Sequence, residues 1–250
     1  LHPEFQQARV ASGRLSSTGP NVQNIPGPKR DSFSKLGSLR NIALAPLGYT
    51  FIHADFSQLE LRIMAAIANE EILINEFSKD GDPHQALANK LSISRSLAKT
   101  LNYALGYGAE AQRVAFTGGM SISEAENLLY QVRQAYSKIE RLRKEVERSL
   151  QETEAAKTLF GRLRRFPGYN SYPFYEKHAA LREAFNHAAG QGTAADIVKM
   201  LMVEVTRRGL RTLWNQVHDS LEFIVPVQDV KEVAQTIREA VDQIQVLPNG

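Results

Sequence analysis

Two segments of this chain carry the apolar, β-branched and aromatic pattern of sheet strands, Thr50–Asp55 and Trp214–Val227, and helical periodicity dominates the residues between them. A sheet built from strands so far apart in sequence, with helices inserted between them, is the arrangement this order permits. The expected class is α+β: an antiparallel sheet with helices packed on one side and a mostly helical subdomain inserted into it.

The first segment, Thr50-Phe51-Ile52-His53-Ala54-Asp55, reads as a short buried strand, followed by a helix with Ser57 as its N-cap. In the second, Val217, Leu221, Phe223 and Val225 mark strand character around a turn at His218-Asp219-Ser220. A last helix follows, Val230 to Gln243. Elsewhere, Leu1 to Leu47 is rich in Gly, Pro, Ser and Asn and reads as extended segments and turns lining a surface. Helical spacing holds from Pro83 to Ala115, and one long helix is expected from Ser121 to Ala156, opened by the capping box Ser121-Ile122-Ser123-Glu124. Thr158 to Pro173 is basic, aromatic and turn-rich, and Ala180 to Arg208 has the composition of another helix. No stretch approaches the roughly 18 apolar residues of a membrane span, and the N-terminus has no signal-peptide character, so an intracellular protein without a membrane partner is expected.

Asp55, ending an apolar strand, is by itself more often an N-cap or turn former than a metal ligand. Asp219, in the turn of the apolar hairpin, supplies a second carboxylate. Two rigid strands that bring two carboxylates together make a costly arrangement unless a divalent cation neutralises them. The chain has no cysteine, so thiolate sites are excluded and hard cations with oxygen ligands are favoured. Such pairs suit metal-assisted phosphoryl transfer. A third element is the stretch Arg95 to Gly108, where Arg95, Lys99, Tyr103 and Tyr107 recur every four residues and share one face of a helix. Two cations followed by two rings match a triphosphate, sugar and base, although a solvated face with tyrosines closing a core has the same pattern. The net charge of +3 decides nothing.

In this order the elements resemble the signature motifs of family A DNA polymerases, the bacterial DNA polymerase I family. They are Asp55-Phe56-Ser57-Gln58-Leu59-Glu60-Leu61-Arg62, Arg95 to Gly108, and Gln216-Val217-His218-Asp219. Ser12 to Pro26, with Arg14-Leu15-Ser16-Ser17 and Asn21-Val22-Gln23-Asn24-Ile25-Pro26, looks like the family's template- and primer-binding segment, and Gln191-Gly192-Thr193-Ala194-Ala195-Asp196 adds a further match. The resemblance covers nearly the whole chain and implies a right-hand polymerase architecture lacking the thumb. Residues 1–68 would be the first part of the palm, 69–178 the fingers and 179–250 the second part of the palm.

By that resemblance, Asp55 and Asp219, with the backbone carbonyl of Phe56, hold two magnesium ions, for which manganese can substitute. Arg95, Lys99 and His84 face the triphosphate of an incoming deoxynucleoside triphosphate, and Lys99 assists the departing pyrophosphate. Glu60 is the steric gate against a 2′-hydroxyl, with Ser57 and Gln58 beside it at the nucleotide. Tyr103 implies ready acceptance of dideoxynucleotides, and Tyr107 stacks near the nascent base pair. Arg14, Asn21, Gln23, Asn24, Arg182, Gln191 and His218 line the primer-template DNA, with Arg14 sensing pairing geometry in the groove.

The chain departs from the family in several places. Ser220 replaces the usual Glu after the hairpin aspartate, with Glu222 a partial substitute if it shares the same face. The segment between His84 and Arg95 is short, and the spacing from Asn186 to Gln191 is one residue longer than usual. A thumb and other domains would belong to a longer parent chain, of bacterial, phage or plasmid origin. The competing readings are a catalytically weakened nucleic-acid-binding fragment, a single-subunit RNA polymerase, which Glu60 opposes, and a metal-dependent nuclease, which gives the nucleotide-shaped stripe no purpose.

Overall fold

The computed structural model describes residues 2–25, 43–107 and 111–244. Two short strands, β1 (Glu4–Gln6) and β2 (Ser16–Thr18), pair antiparallel near the start, ahead of β3 (Tyr49–Asp55). Seven helices follow: α1 (Leu59–Ala68), α2 (Glu71–Ser78), α3 (Pro83–Leu91), α4 (Arg95–Tyr107), α5 (Ala111–Gly118), α6 (Ile122–Ala135) and α7 (Ser137–Thr153). A small hairpin, β4 (Ala155–Lys157) and β5 (Leu163–Arg165), leads to α8 (Phe174–Ala189) and α9 (Gln191–Arg207). The hairpin β6 (Leu213–Val217) and β7 (Ser220–Pro226) and the helix α10 (Val230–Gln243) end the described chain. Among the described residues, no helix is long and apolar enough to cross a membrane.

The chain divides into two compact units. One takes in the described residues up to Ser57 and from Ala195 onward; the other is Gln58–Ala194. The first is built on a three-stranded antiparallel sheet in the order β3-β7-β6. Leu221, Phe223 and Val225 on β7 are buried, and α10 packs against β3 and β7. Full burial of each such side chain contributes about 1.5–3 kcal/mol, so this central strand anchors the sheet. The second unit is helical around a core that includes Leu73, Leu101, Val132, Tyr136, Leu150 and Ala184.

Several sequence expectations meet their limits here. The strand at Thr50–Asp55 forms, but it is an edge strand of half-buried and exposed residues rather than a buried one, because β7 takes the central position. Ser57 is not the N-cap of α1: Gln58 holds that position, with φ 54° and no side-chain capping bond. The long helix expected from Ser121 breaks at Tyr136, whose φ of −113° and ψ of 58° end α6 and start α7, and whose buried ring makes the break part of the core. The helix expected over Ala180–Arg208 breaks at Gly190, where a Cβ would lie 2.5 Å from Asn186 Oδ1. The capping box is present: Ser121 Oγ accepts from the Glu124 N–H at 3.2 Å and Glu124 Oε2 from the Ser121 N–H at 2.8 Å. The Val230–Gln243 helix forms over its expected span.

Candidate active site

In the first unit the antiparallel register builds the carboxylate pair. Asp55, the last residue of β3, lies opposite Ser220, the first residue of β7, so Asp219 stands one position beyond the end of the ladder. The Phe56 N–H donates to the Asp219 carbonyl at 3.3 Å, which ties the two carboxylate-bearing segments together. Asp219 sits in a two-residue turn between Val217 and Ser220. That turn places His218 at φ 52°, a left-handed conformation that a non-glycine residue adopts at a cost.

Asp55 is exposed, and its carboxylate has no partner among the described residues. Asp219 is half-buried and accepts from Arg14 Nη2 at 3.1 Å. Gln23 holds the hairpin from the other side, its amide donating to the Gln216 carbonyl at 2.9 Å and to Gln216 Oε1 at 3.0 Å, while Gln216 Nε2 donates to the His218 carbonyl at 2.5 Å. Asn21 accepts from the Gln23 N–H at 3.1 Å and caps the single 3-10 turn Val22–Asn24, so the motif segment is itself ordered by a local bond. Asn24 is exposed.

Ser220 is buried and its hydroxyl donates inward to the Val217 carbonyl at 2.9 Å. Glu222 follows two positions on, so alternation puts it on the same face of β7 as Ser220. Its carboxylate, however, accepts from Asn215 Nδ2 at 3.0 Å and lies 3.5 Å from His53 Nδ1. It is therefore engaged by its neighbours on β6 and β3. No group of three or more histidine, cysteine or acidic side chains among the described residues could hold a metal ion. Asp55, Asp219 and the Phe56 carbonyl offer only oxygen donors, the donor type that suits a hard divalent cation.

The second unit carries the cationic stripe. On α4, Arg95, Lys99 and Tyr103 are exposed, whereas Leu97, Ala98, Leu101 and Asn102 are buried, so the four-residue spacing does put the three on one outward face. Tyr107 is the last residue of α4, and its side chain lies outside the described residues. Lys99 Nζ is 6.0 Å from the Tyr103 ring centroid, and the His84 ring is 6.0 Å from that of Tyr103. Asp82 links α3 to α4: one oxygen caps α3 by accepting from the His84 and Gln85 N–H groups at 2.9 and 3.3 Å, and the other accepts from Arg95 Nε at 2.5 Å. His84 is buried. Burial holds its pKa below the usual histidine value; the Asp82 charge opposes this, and the Arg95 and Lys99 cations reinforce it.

The remaining expected residues lie on other elements. Gln58 opens α1 and Glu60 lies in its first turn. Ser57 is exposed at the end of the first unit. Arg182, on α8, borders a cleft of about 440 Å³ that is also lined by Ala104 and Leu105 of α4. Gln191 begins α9, its N–H donating to Asn186 Oδ1 at 3.0 Å. The sequence reading gave no role to Asp82, Asn102, Gln216 or Asn215. Asp82 is marked by an Asp-Pro pair at a helix start, and Gln216 and Asn102 stand within the matched motifs without a local pattern that assigns them a role.

The description "DNA polymerase family A" matches residues 1–248 of this chain. Among curated proteins, "DNA polymerase I, thermostable" of Thermus caldophilus is 35% identical over 260 residues, covering 97% of this chain and 30% of that relative. DNA polymerase I of Deinococcus radiodurans is 34% identical over 258 residues, covering 98% of this chain and 26% of the relative. The chain thus spans about a third or less of the length of these relatives. Among solved structures, the POL domain of Pol1 from M. smegmatis in complex with DNA primer-template and dNTP superposes with a TM-score of 0.88 at 32% identity, over 99% of this chain and 45% of that one.

Proposed function

Because the chain belongs to DNA polymerase family A, we propose that it is the palm and fingers portion of a template-directed DNA polymerase, which adds deoxynucleotides to a primer 3′ end by two-metal phosphoryl transfer. The observation that carries this reading is the register that sets Asp55 and the Asp219 turn at one end of the β3–β7 pair. In this reading residues 1–68 and 179–250 serve as palm, carrying the carboxylate pair, and 69–178 as fingers, carrying the α4 stripe. The relative solved with primer-template and dNTP supports DNA and deoxynucleotide as the substrates.

In the reaction, the primer 3′-oxygen forms a bond to the α-phosphorus, the bond from that phosphorus to the pyrophosphate oxygen breaks, and the 3′-hydroxyl proton passes to solvent. When bound, two magnesium or manganese ions would activate the attacking oxygen and steady the leaving charge; Asp55, Asp219 and the Phe56 carbonyl are the residues that would hold them. Arg95 and Lys99 bind the triphosphate through charge-assisted bonds, and Lys99 donates toward the departing pyrophosphate. Glu60, with Ser57 and Gln58, closes on the sugar; Tyr103 and Tyr107 stack at the sugar and the base pair. Arg14, Gln23, Asn24, Gln191, Arg182 and His218 hold the primer and template.

A second reading is favoured by one observation: Ser220 directs its hydroxyl inward, so the site has two acidic side chains rather than three. Under it the chain is a catalytically weakened DNA-binding fragment. Extension of a labelled primer on a DNA template, with deoxynucleotides or ribonucleotides, separates the two. Metal-dependent deoxynucleotide addition that disappears in Asp219→Ala supports the polymerase; binding of the primer-template without extension supports the weakened module.

A further inference from the structure

Asn102 sits on the buried side of α4, one residue before Tyr103, and reaches back to the start of α3. Its amide nitrogen lies 3.2 Å from the Pro83 carbonyl oxygen and 2.9 Å from His84 Nδ1. The amide oxygen is buried without a hydrogen-bond partner, so the side chain bonds only through its nitrogen.

The Pro83 carbonyl fixes which way the amide faces. A carbonyl oxygen only accepts, so the group beside it must be the NH₂; the rotated amide would set two oxygens against each other inside the core. An amide nitrogen in turn only donates, so His84 Nδ1 must be the acceptor and carries no proton. The one ring proton is then on Nε2.

We propose that Asn102 is a positioning residue that locks His84 in the Nε2–H tautomer, so that the ring offers a single uncharged N–H donor to a phosphate oxygen of the incoming nucleoside triphosphate. The proposal rests on the reading of His84, Arg95 and Lys99 as a triphosphate site and deepens it. A triphosphate at neutral pH presents acceptors only. The opposite tautomer would turn the Nε2 lone pair toward those acceptors, and an imidazolium would stand beside two existing cations. Of the charged and titratable groups around the ring, the Asp82 charge favours protonation but is shared with the α3 cap and Arg95, Arg95 and Lys99 disfavour it, and Tyr103 packs against the ring. Burial lowers the pKa of His84 and keeps it uncharged.

The test is ¹⁵N spectroscopy of the histidine side chains of the whole chain, with the His84 signals assigned by their loss in His84→Gln. The expected spectrum shows an unprotonated Nδ1 and a protonated Nε2, and adding inorganic tripolyphosphate shifts the Nε2–H signal. In Asn102→Asp the new carboxylate accepts from Nδ1–H, so the ring takes the opposite tautomer with Nε2 unprotonated, and the deoxynucleotide concentration for half-maximal extension rises roughly tenfold, the worth of one bond to a charged group. A proton on Nδ1 in the unmodified chain overturns the tautomer assignment. The expected tautomer with no response to tripolyphosphate overturns the phosphate role and the nucleotide reading of His84 while leaving the Asn102 geometry standing. The first measurement does not use Asn102→Asp, so it holds even if that variant folds poorly.

Discussion

Replacing Asp82 separates two tasks that one carboxylate performs. Its first oxygen caps α3 through the His84 and Gln85 N–H groups, and its second holds Arg95 Nε at 2.5 Å. In Asp82→Asn the amide oxygen keeps the cap, since Asn and Asp cap about equally well, but the NH₂ group then faces the Arg95 Nε–H, donor against donor. The two side chains of the ion pair are 53% and 36% exposed, so its loss costs at most about 1 kcal/mol. Asp82→Ala removes the cap as well, for roughly 1 kcal/mol more. Urea unfolding followed by far-ultraviolet circular dichroism should therefore rank wild type above Asn and Asn above Ala in roughly equal steps. Both variants should raise the deoxynucleotide concentration needed for half-maximal extension, because Arg95 loses its anchor. Burial alone would raise the Asp82 pKa, but the hydrogen bond and charge of Arg95 and the two capping N–H groups hold it below 3.8. Its stabilising contribution is present above that value and is lost as pH falls through the lower folded pKa; the Asn variant lacks this acid sensitivity. Equal stability of Asn and Ala would refute the capping argument, and an unchanged nucleotide dependence in Asp82→Asn would refute the anchoring of Arg95.

Three further perturbations follow from the same geometry. Gly192→Ala puts a Cβ 2.1 Å from the His187 carbonyl oxygen, a backbone atom that cannot swing aside, so a loss of about 2–3 kcal/mol is expected in chemical unfolding. Ser220→Glu adds a third carboxylate opposite Asp55 and should lower the magnesium concentration for half-maximal extension severalfold; a requirement that stays the same or rises counts against metal binding at this end of the sheet. Glu70 is buried and accepts from the Lys138 N–H at 3.1 Å, and its pKa is raised chiefly by burial. A raised acid is most stabilising below its ordinary value of 4.5, and that contribution is lost as pH rises through the folded pKa, so Glu70→Gln should gain on the wild type in unfolding measurements as pH increases.

Periodicity located the elements whose pattern is local. α10, the capping box before α6 and the β6–β7 hairpin follow from side chains within a few positions of one another. The breaks at Tyr136 and Gly190 were not legible, because helical residues flank both and the interruptions answer to contacts distant in sequence: the Tyr136 ring fills the core, and Gly190 with Gly192 lets the backbones of α8 and α9 approach closely. The β4–β5 hairpin was hidden for the same reason, since Leu159 N–H donates to Thr193 Oγ1 and Arg162 Nη2 to the Gly192 carbonyl, bonds that no local pattern announces. In the candidate site, the residues that present chemistry stand in motifs, whereas those that hold them are ordinary polar residues. Gln216 and Asn102 stand inside motifs, but their supporting contacts become visible only once the strands and helices have brought their partners together.

Arg14 raises a question of order. It is read as a contact to DNA, yet in the free chain its Nη2 lies 3.1 Å from Asp219 Oδ1, on a carboxylate that the proposed reaction needs for a divalent cation. Arg95 can keep Asp82 through Nε and still turn its terminal nitrogens to a phosphate. Arg14 uses a terminal nitrogen, so its bond and cation binding compete for the same carboxylate. A partly exposed pair of this kind is worth about 1 kcal/mol, less than one or two charge-assisted bonds to substrate, so DNA binding can draw Arg14 away and leave Asp219 open. Arg14→Ala should therefore tighten manganese binding to the DNA-free chain about fivefold, the equivalent of about 1 kcal/mol, while weakening primer-template binding. Titration calorimetry with manganese alone reads the first effect and fluorescence anisotropy the second. If manganese affinity is unchanged, Asp219 is not the carboxylate for which the two compete, and the order of DNA before metal loses its physical basis.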